Sequence, residues 1–530
     1  MTPEGLIAIL MLGGVAWIVA WIYYINKALT EKRAWKQRIA TAQAVQQGVK
    51  PIGTPMGQAY GSAYLQSPDQ LRESGLGLSG EELLDLRYKC KVGFLFLGEW
   101  TYRPKGDKGP VHTSFPVLQG PGHAITIAPT RTGKGTCAVI PNLMLYEGSI
   151  IVNDIKGENY AVTASWRQSI HQQVYKFAPF DDDGDNWNPF DIFDDSDSPW
   201  DDARHMAELL ITDNHDKEVF WNNNARNLLT GLILHIAEEA PIQERNLAHL
   251  KDLLSQDEEG LQYTLTEIAA GENKAAAKAA NGFLRADIKV RSGVLSTLDS
   301  ELAFLDSERV ANCTSVSDFS FSEIKHDKSS IFFVLPPERL RTYAPLMRLF
   351  FGIAALELKR TQDRPDWPVL LMLDEFPAMG RMKVIEEEIA FLAGYDVRLW
   401  LFAQDLNQLA RIYGQAAQSI IANCRVKQFF GVADVETGKL VSAMCGNTTV
   451  PNISVSANNG ANVDTSSVSI SDGQRPLYDP NEVMNLHENM QLLFFPGHQP
   501  VLSQKVSYMQ APALFEYEGK PLYDPNPYHR

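Results

Sequence analysis

Six runs of seven or eight residues are apolar at almost every position and show no in–out alternation. They are "HAITIAP" (His123 to Pro129), "SIIVNDI" (Ser149 to Ile155), "SSIFFVLP" (Ser329 to Pro336), "VLLMLDE" (Val369 to Glu375), "VRLWLFAQ" (Val397 to Gln404) and "VKQFFGVA" (Val426 to Ala433). A strand with no polar face is covered on both sides, which restricts the chain to a mostly parallel sheet sandwiched by helices, an α/β fold. Helical stretches between most of the runs supply right-handed crossovers. One gap breaks this rhythm, about 150 residues between "QVYKFAPF" (Gln173 to Phe180) and Ser329. Within it "DARHMAELLI", "ARNLLTGLILHIAEE", "LAHLKDLLS" and "ENKAAAKAANGFLRADI" repeat apolar residues at helical spacing, which predicts an inserted all-helical domain.

The first run opens into Pro129, Thr130, Arg131, Thr132, Gly133, Lys134, Gly135 and Thr136. A strand, a glycine-bearing turn and a helix from about Gly135 aim backbone N–H groups at phosphate, as in a P-loop. Lys134 then reaches the β- and γ-phosphates as a movable point charge. Two positions depart from the usual pattern. Ala128 stands where it begins with Gly, and Gly135 stands where a Ser or Thr holds magnesium. The competing reading is a tight strand–helix turn with an exposed lysine. Thr136 is the nearest hydroxyl for the metal; otherwise the turn is shifted by one residue, or Asp374 holds the ion through water.

"VLLMLDEFPAMGR" places Asp374 and Glu375 at the end of a buried run. One acid suits Mg2+ and the other suits polarising an attacking water. Two carboxylates there are costly to desolvate without a cation, although an acidic helix cap would also place them so. Gln404 ends the following run, where it can sense a γ-phosphate or orient water, or simply be loop polarity. The cofactors expected are ATP and Mg2+.

At 530 residues the chain exceeds one core, so two or more domains are expected. A net charge of -16 excludes a surface that coats nucleic acid everywhere, but not a local basic channel. The five cysteines form no C-x-x-C pair and read as reduced thiols. The acidic stretch Asp181 to Asp202 fails calcium-loop spacing and reads as a solvated loop. Leu6 to Ile25 carries no charge and, as a helix, is about 30 Å long, the length of one bilayer crossing. Lys27, Lys32, Arg33, Lys36 and Arg38 follow it, which predicts a retained anchor with the N-terminus outside. Asn452 to Gly473 reads as a polar hairpin or a mobile loop, with Asn459–Gly460 as a turn. The expected division is 1–40 anchor and basic flank, 41–92 linker, 93–180 first part of the nucleotide-binding domain, 181–328 helical insert, and 329–530 second part with the acid pair and C-terminal strands.

Several motifs occur in one order: "APTRTGKG", "VNDIKGE" (Val152 to Glu158), "WNPF" (Trp187 to Phe190), "LDEFPAMGR", "AQDLNQL" (Ala403 to Leu409) and "YG…IIANCRVKQFFGVAD" (Tyr413 to Asp434). With the closing "RPLYDPNEVMNL…QLLFFPGHQPVLSQKVSY", they closely resemble the TraG-type coupling ATPases of type IV secretion systems, from roughly Gly93 to Met509. Loops reading G-K-G are common in that family. The resemblance implies a RecA-like P-loop domain with the helical insert, anchored to the bacterial inner membrane. With the single apolar run and its basic flank, the expectation is one N-terminal transmembrane helix, N-terminus periplasmic and body cytoplasmic. It also implies a homo-hexameric ring with ATP at subunit boundaries. The implied partners are type IV secretion channel components and a DNA–relaxase complex or effector proteins.

On this resemblance Lys134, Thr136, Asp374, Glu375 and Gln404 match the family's nucleotide positions. Asp154, Lys156 and Glu158 match a motif that could equally be a salt-bridged strand end. Arg381, Arg398 and Arg425 are candidates for the arginine that acts across the boundary. Many relatives have two membrane helices, whereas this sequence shows one such run. The leading expectation is a motor that spends ATP on substrate transfer. The alternative is a docking receptor in which nucleotide gates assembly; a chromosome-directed pump fits the "KGE" and "DEFPAMGR" motifs poorly.

Overall fold

A computed structural model describes residues 59, 61–83, 93–102, 112–212, 219–460 and 463–528, which fall into two compact units. The larger comprises Pro68–Thr437, Met484–His498 and Leu502–Arg530. It is built on a sheet of nine strands: β1 His123–Ile127, β2 Ile150–Asp154, β3 Gln173–Phe177, β4 Ser329–Val334, β5 Val369–Leu373, β6 Val397–Ala403, β7 Cys424–Phe429, β8 Met490–Phe494 and β9 Val501–Gln504. Their spatial order is β9-β8-β7-β1-β6-β5-β2-β4-β3. From β7 to β3 every pairing is parallel, and β8 runs antiparallel against β7. All residues of β1, β2, β5 and β6 are buried, as strands covered on both faces must be. The six apolar runs are six of these strands, which makes the unit the α/β fold expected.

Between β3 and β4 the structure is helical. Pro199–Leu210, Val219–Glu239, Leu247–Leu254, Glu258–Ala270, Lys274–Leu284, Ile288–Glu301 and Glu308–Cys313 are α-helices. The sequence writes several of their starts: Asn246, Asp257, Asn273 and Asp287 each accept a first-turn backbone N–H. Gly231 lets Val219–Glu239 and Lys274–Leu284 touch, since a Cβ there would lie 2.5 Å from Ala279 Cβ. The "WNPF" motif is a packing corner. Trp187 is buried with its ring 5.0 Å from Phe350 and 5.5 Å from Phe321, and Asn188 caps Phe190 N at 3.1 Å. The acidic stretch is satisfied in pieces, with Asp181 and Asp183 on Lys176, Asp182 on Arg309 and Asp202 on Arg360.

The smaller unit comprises residues up to Ser67, Gly438–Val483 and Gln499–Val501. Its main feature is a hairpin of Asn447–Gly460 with Val463–Pro476. Pairing extends to Gly460 opposite Val463, so Asn459 and Gly460 are strand residues rather than the turn.

Two expectations need correction. The linker expected over 41–92 is packed chain where it is described. Pro68–Glu73 is a helix, Gly77–Leu78 pairs with His112–Gln119, and Leu65, Leu71, Leu76, Leu78 and Leu83 are buried. Leucines spaced singly among Gly, Ser and Gln disappear in a compositional average. The single-pass localisation does not stand either: among the described residues no helix is long and apolar enough to cross a membrane. The run Leu6 to Ile25 itself lies outside the described residues.

His123 locks the start of β1. Its Nδ1 accepts from Leu399 N at 3.0 Å, so Nε2 carries the proton and donates to Ile389 O at 2.6 Å. Burial pushes its pKa down from 6.5 to about 4. Above pH 6.5 the ring is neutral in both folded and unfolded chains. Between 6.5 and about 4 only the unfolded chain takes the proton, so stability held above 6.5 is lost on acidification. That loss amounts to about 3 kcal/mol. Urea midpoints compared at pH 7 and pH 5 should fall for the native sequence and fall less for His123→Gln.

Candidate functional site

Both faces of the sheet are covered, so polar groups collect where the parallel strands end. Four adjacent strands supply them: β1 leads to Lys134, β6 to Gln404, β5 to Asp374 and Glu375, and β2 ends in Asn153 and Asp154. Side chains far apart in sequence meet there because neighbouring strands finish level, with Ala403 beside Ile127 and Asn153 beside Leu373.

After β1 the chain turns through Arg131 at φ 61° and Gly133 at φ 95°, then enters a helical turn at Gly135–Val139 that continues as Ile140–Leu145. Thr132 Oγ1 donates to Pro129 O at 2.7 Å, and Cys137 N donates to Gly133 O at 2.8 Å. Thr130 and Arg131 are exposed, whereas Lys134 is buried. The Lys134 ammonium donates to Ala128 O at 3.0 Å and lies 3.3 Å from Glu375 Oε1. Gln404 Nε2 donates to the other oxygen, Glu375 Oε2, at 3.0 Å. Lys134, Glu375 and Gln404 therefore form one relay across three strands. Lys134 is not the exposed lysine of a plain turn.

Asp374 Oδ1 accepts from Glu375 N at 3.0 Å, and its backbone O accepts from Asn153 Nδ2 at 2.5 Å. Burial, then the charge of Glu375, pushes the Asp374 carboxyl up to about 6. Burial also raises Asp154 to about 7, with Asp374 and Glu158 adding to the rise. Asp154 caps the helix Glu158–Ser169 by accepting from Tyr160 N at 2.9 Å. Its neighbours Lys156 and Glu158 are held by the C-terminal segment: Tyr528 OH donates to Lys156 O at 2.5 Å, and Asn526 Nδ2 to Glu158 Oε1 at 2.7 Å.

The donor set fits a hard divalent cation bound with phosphate. Asp374 and Glu375 offer oxygen, and buried Asn153 Oδ1 has no hydrogen-bond partner. A Cβ added to Gly135 would meet nothing within 4 Å, so the space a Ser or Thr would fill beside Lys134 is open. Among the described residues no group of three His, Cys, Asp or Glu could hold a metal alone. Thr136 is not drawn into this cluster; its hydroxyl lies 3.6 Å from Cys137 Sγ.

The three arginines now separate. Arg398 is fully buried at the opposite end of β6, bonded to Gly93 O and Gly120 O, and cannot reach another molecule. Arg381 is paired with Glu386 at 2.8 Å, and Arg425 is exposed at the start of β7. The "DEFPAMGR" and "YG" motifs prove to be mutual packing, with Phe376 stacked on Tyr413 at 5.3 Å.

Sequence reasoning missed Asn153, Gly431 and Lys505. Gly431, the glycine just past β7, was the one detectable signal, because a glycine closing a buried strand marks close backbone approach. It has φ 62°, and a Cβ there would lie 2.5 Å from Thr132 Cγ2. Gly431→Ala should therefore lower stability by about 1–2 kcal/mol through its left-handed backbone and further through overpacking. Thr132→Ser removes the opposing methyl while keeping the hydroxyl. In a denaturation double-mutant cycle it should recover part of the loss, and strict additivity would refute the clash.

The family model for type IV secretory system conjugative DNA transfer matches residues 82–524. A conjugal transfer protein TraG of Escherichia coli is 31% identical over 475 residues, 84% of this chain and 74% of that protein. Protein VirD4 of Agrobacterium fabrum is 32% identical over 399 residues, 73% of this chain but only 58% of VirD4. Among solved structures, the unbound conjugative coupling protein TrwB aligns with TM-score 0.56 at 16% identity, covering 76% of this chain and 87% of that one. TrwB in complex with ADP and Mg2+ aligns with TM-score 0.53 at 16% identity, over 73% and 85%. The structural likeness establishes a shared fold, and the sequence match establishes that the chain belongs to the type IV secretory system conjugative DNA transfer family.

Proposed function

We propose that this chain binds ATP with Mg2+ at the ends of β1, β6, β5 and β2, and couples its hydrolysis to delivery of DNA–relaxase complexes or effector proteins into a type IV secretion channel. The observation that carries this reading is the single carboxylate of Glu375, held by Lys134 on one oxygen and by Gln404 on the other. TrwB, which shares the fold, has been solved with ADP and Mg2+.

The geometry supports the following roles. The loop from Pro129 to Thr136 offers backbone N–H groups to the phosphates, and Lys134 exchanges Glu375 for the β- and γ-oxygens. Asp374 would hold the metal, directly or through water, with Thr136 the nearest hydroxyl in the loop. Bound Mg2+ would neutralise charge on the phosphate oxygens. Glu375, released by Lys134 but still oriented by Gln404, takes the proton of the attacking water. As a homo-hexameric ring, the chain would place an arginine from the next subunit at the phosphates, with Arg381 or Arg425 the candidate donors.

Glu375→Gln should keep ATP affinity while slowing hydrolysis by about 10²–10⁴-fold, and should abolish transfer in a mating or effector-delivery assay. Transfer at the normal rate with hydrolysis gone would instead make the chain a docking platform. ATPase stimulation by DNA that weakens steeply with salt would identify polynucleotide cargo.

A further inference from the structure

The loop has a second lysine, contributed from beyond β9. Lys505 Nζ donates to the carbonyl oxygen of Thr132 at 2.5 Å and stands 4.7 Å from the centroid of the Phe430 ring. Among the described residues no carboxylate forms an ion pair with it. Its backbone is fixed where Lys505 N donates to Asn489 O at 2.8 Å. Three residues on, Tyr508 N donates to Thr136 O at 3.2 Å, so one segment grips the loop at both ends of its turn. That segment is braced in turn by Asn526, which donates to Tyr508 OH at 2.9 Å and to Glu158 at 2.7 Å.

The two sides of a trans peptide point in opposite directions. A cation that holds the Thr132 carbonyl therefore fixes the Gly133 N–H on the opposite side of the same peptide plane. The contact is also close to the turn itself, since a Cβ added to Gly133 would lie 3.6 Å from Lys505 Nζ. We propose that Lys505 is a positioning residue of the phosphate-binding loop, which orients the Thr132–Gly133 peptide and adds a positive charge behind it. Lys134 meets the anion directly, whereas Lys505 acts through the backbone. Phe430 and Gly431 form the wall that keeps the ammonium against the carbonyl, the ring by cation–π attraction and the glycine by letting Thr132 approach.

This inference rests on reading the loop as a nucleotide site, and calorimetric titration of the full chain with ADP and Mg2+ separates the two claims. Lys505→Met should weaken binding about tenfold, as expected for loss of a charged hydrogen bond. Lys505→Arg should restore affinity to within about threefold, a rescue that a purely packing role would not produce. The thermal midpoint without nucleotide should change little in either variant. Phe430→Leu keeps the lysine and removes the ring, so it should give a smaller loss in the same direction; it carries the test if Lys505→Met does not fold. Unaltered ADP affinity in the variants, beside clear binding by the native chain, would overturn the role of Lys505 alone. No ADP binding by the native chain would overturn the nucleotide reading and this proposal with it.

Discussion

Burial of both faces of the sheet is the constraint on which the rest depends. β1, β2, β5 and β6 have no exposed residue, so a ligand can meet them only at the edge where they stop. Residues 134, 153, 374, 375 and 404 are scattered across the sequence, but each lies within or just past the end of one of these strands. The sheet order then turns scattered positions into one row. The same burial sets the electrostatics, because acids at that edge lose water before they gain a partner. Asp374 rises to about 6 and Asp154 to about 7 for this reason first, and a divalent cation would reverse the effect.

Much of this was legible in sequence because the signals were local. An unalternating apolar run ending in Asp-Glu is visible in one window, and so is a strand that turns through Gly133 and Lys134. What escaped was non-local. Lys505 is an unremarkable lysine 373 positions from the carbonyl it holds, and nothing in its neighbourhood marks it. Asn153 sits inside a buried strand, where an amide reads as an interruption until its partner, Asp374 O, is known. The packed leucines between residues 65 and 83 were lost for a different reason: short elements in Gly- and Ser-rich sequence carry too few apolar residues to show a period.

The "VNDIKGE" motif gains a physical account from the same edge. Asn153 ties β2 to the Asp374 backbone, and Asp154 caps the helix that follows. Gly157 supplies φ 71° for the turn between them, and the C-terminal residues Asn526 and Tyr528 close over Glu158 and Lys156. Asn526 and Tyr528 are thus part of the scaffold of the site. A salt-bridged strand end is too weak a description, because the contacts run to backbone atoms and to a neighbouring strand.

Glu375 is the point where these constraints meet. It holds a left-handed backbone, φ 50° and ψ 41°, which costs a non-glycine residue on the order of 1–2 kcal/mol. Strain of this kind persists where surrounding contacts over-determine it, and here Lys134 and Gln404 grip the two carboxylate oxygens. On the proposed nucleotide reading, a phosphate that drew Lys134 away would remove one of those grips. It would leave a strained acid with one oxygen free, oriented by Gln404 from the next strand. Arrival of the anion and liberation of the base would then be a single exchange of partners at Lys134, tying the readiness of the acid to occupancy of the loop.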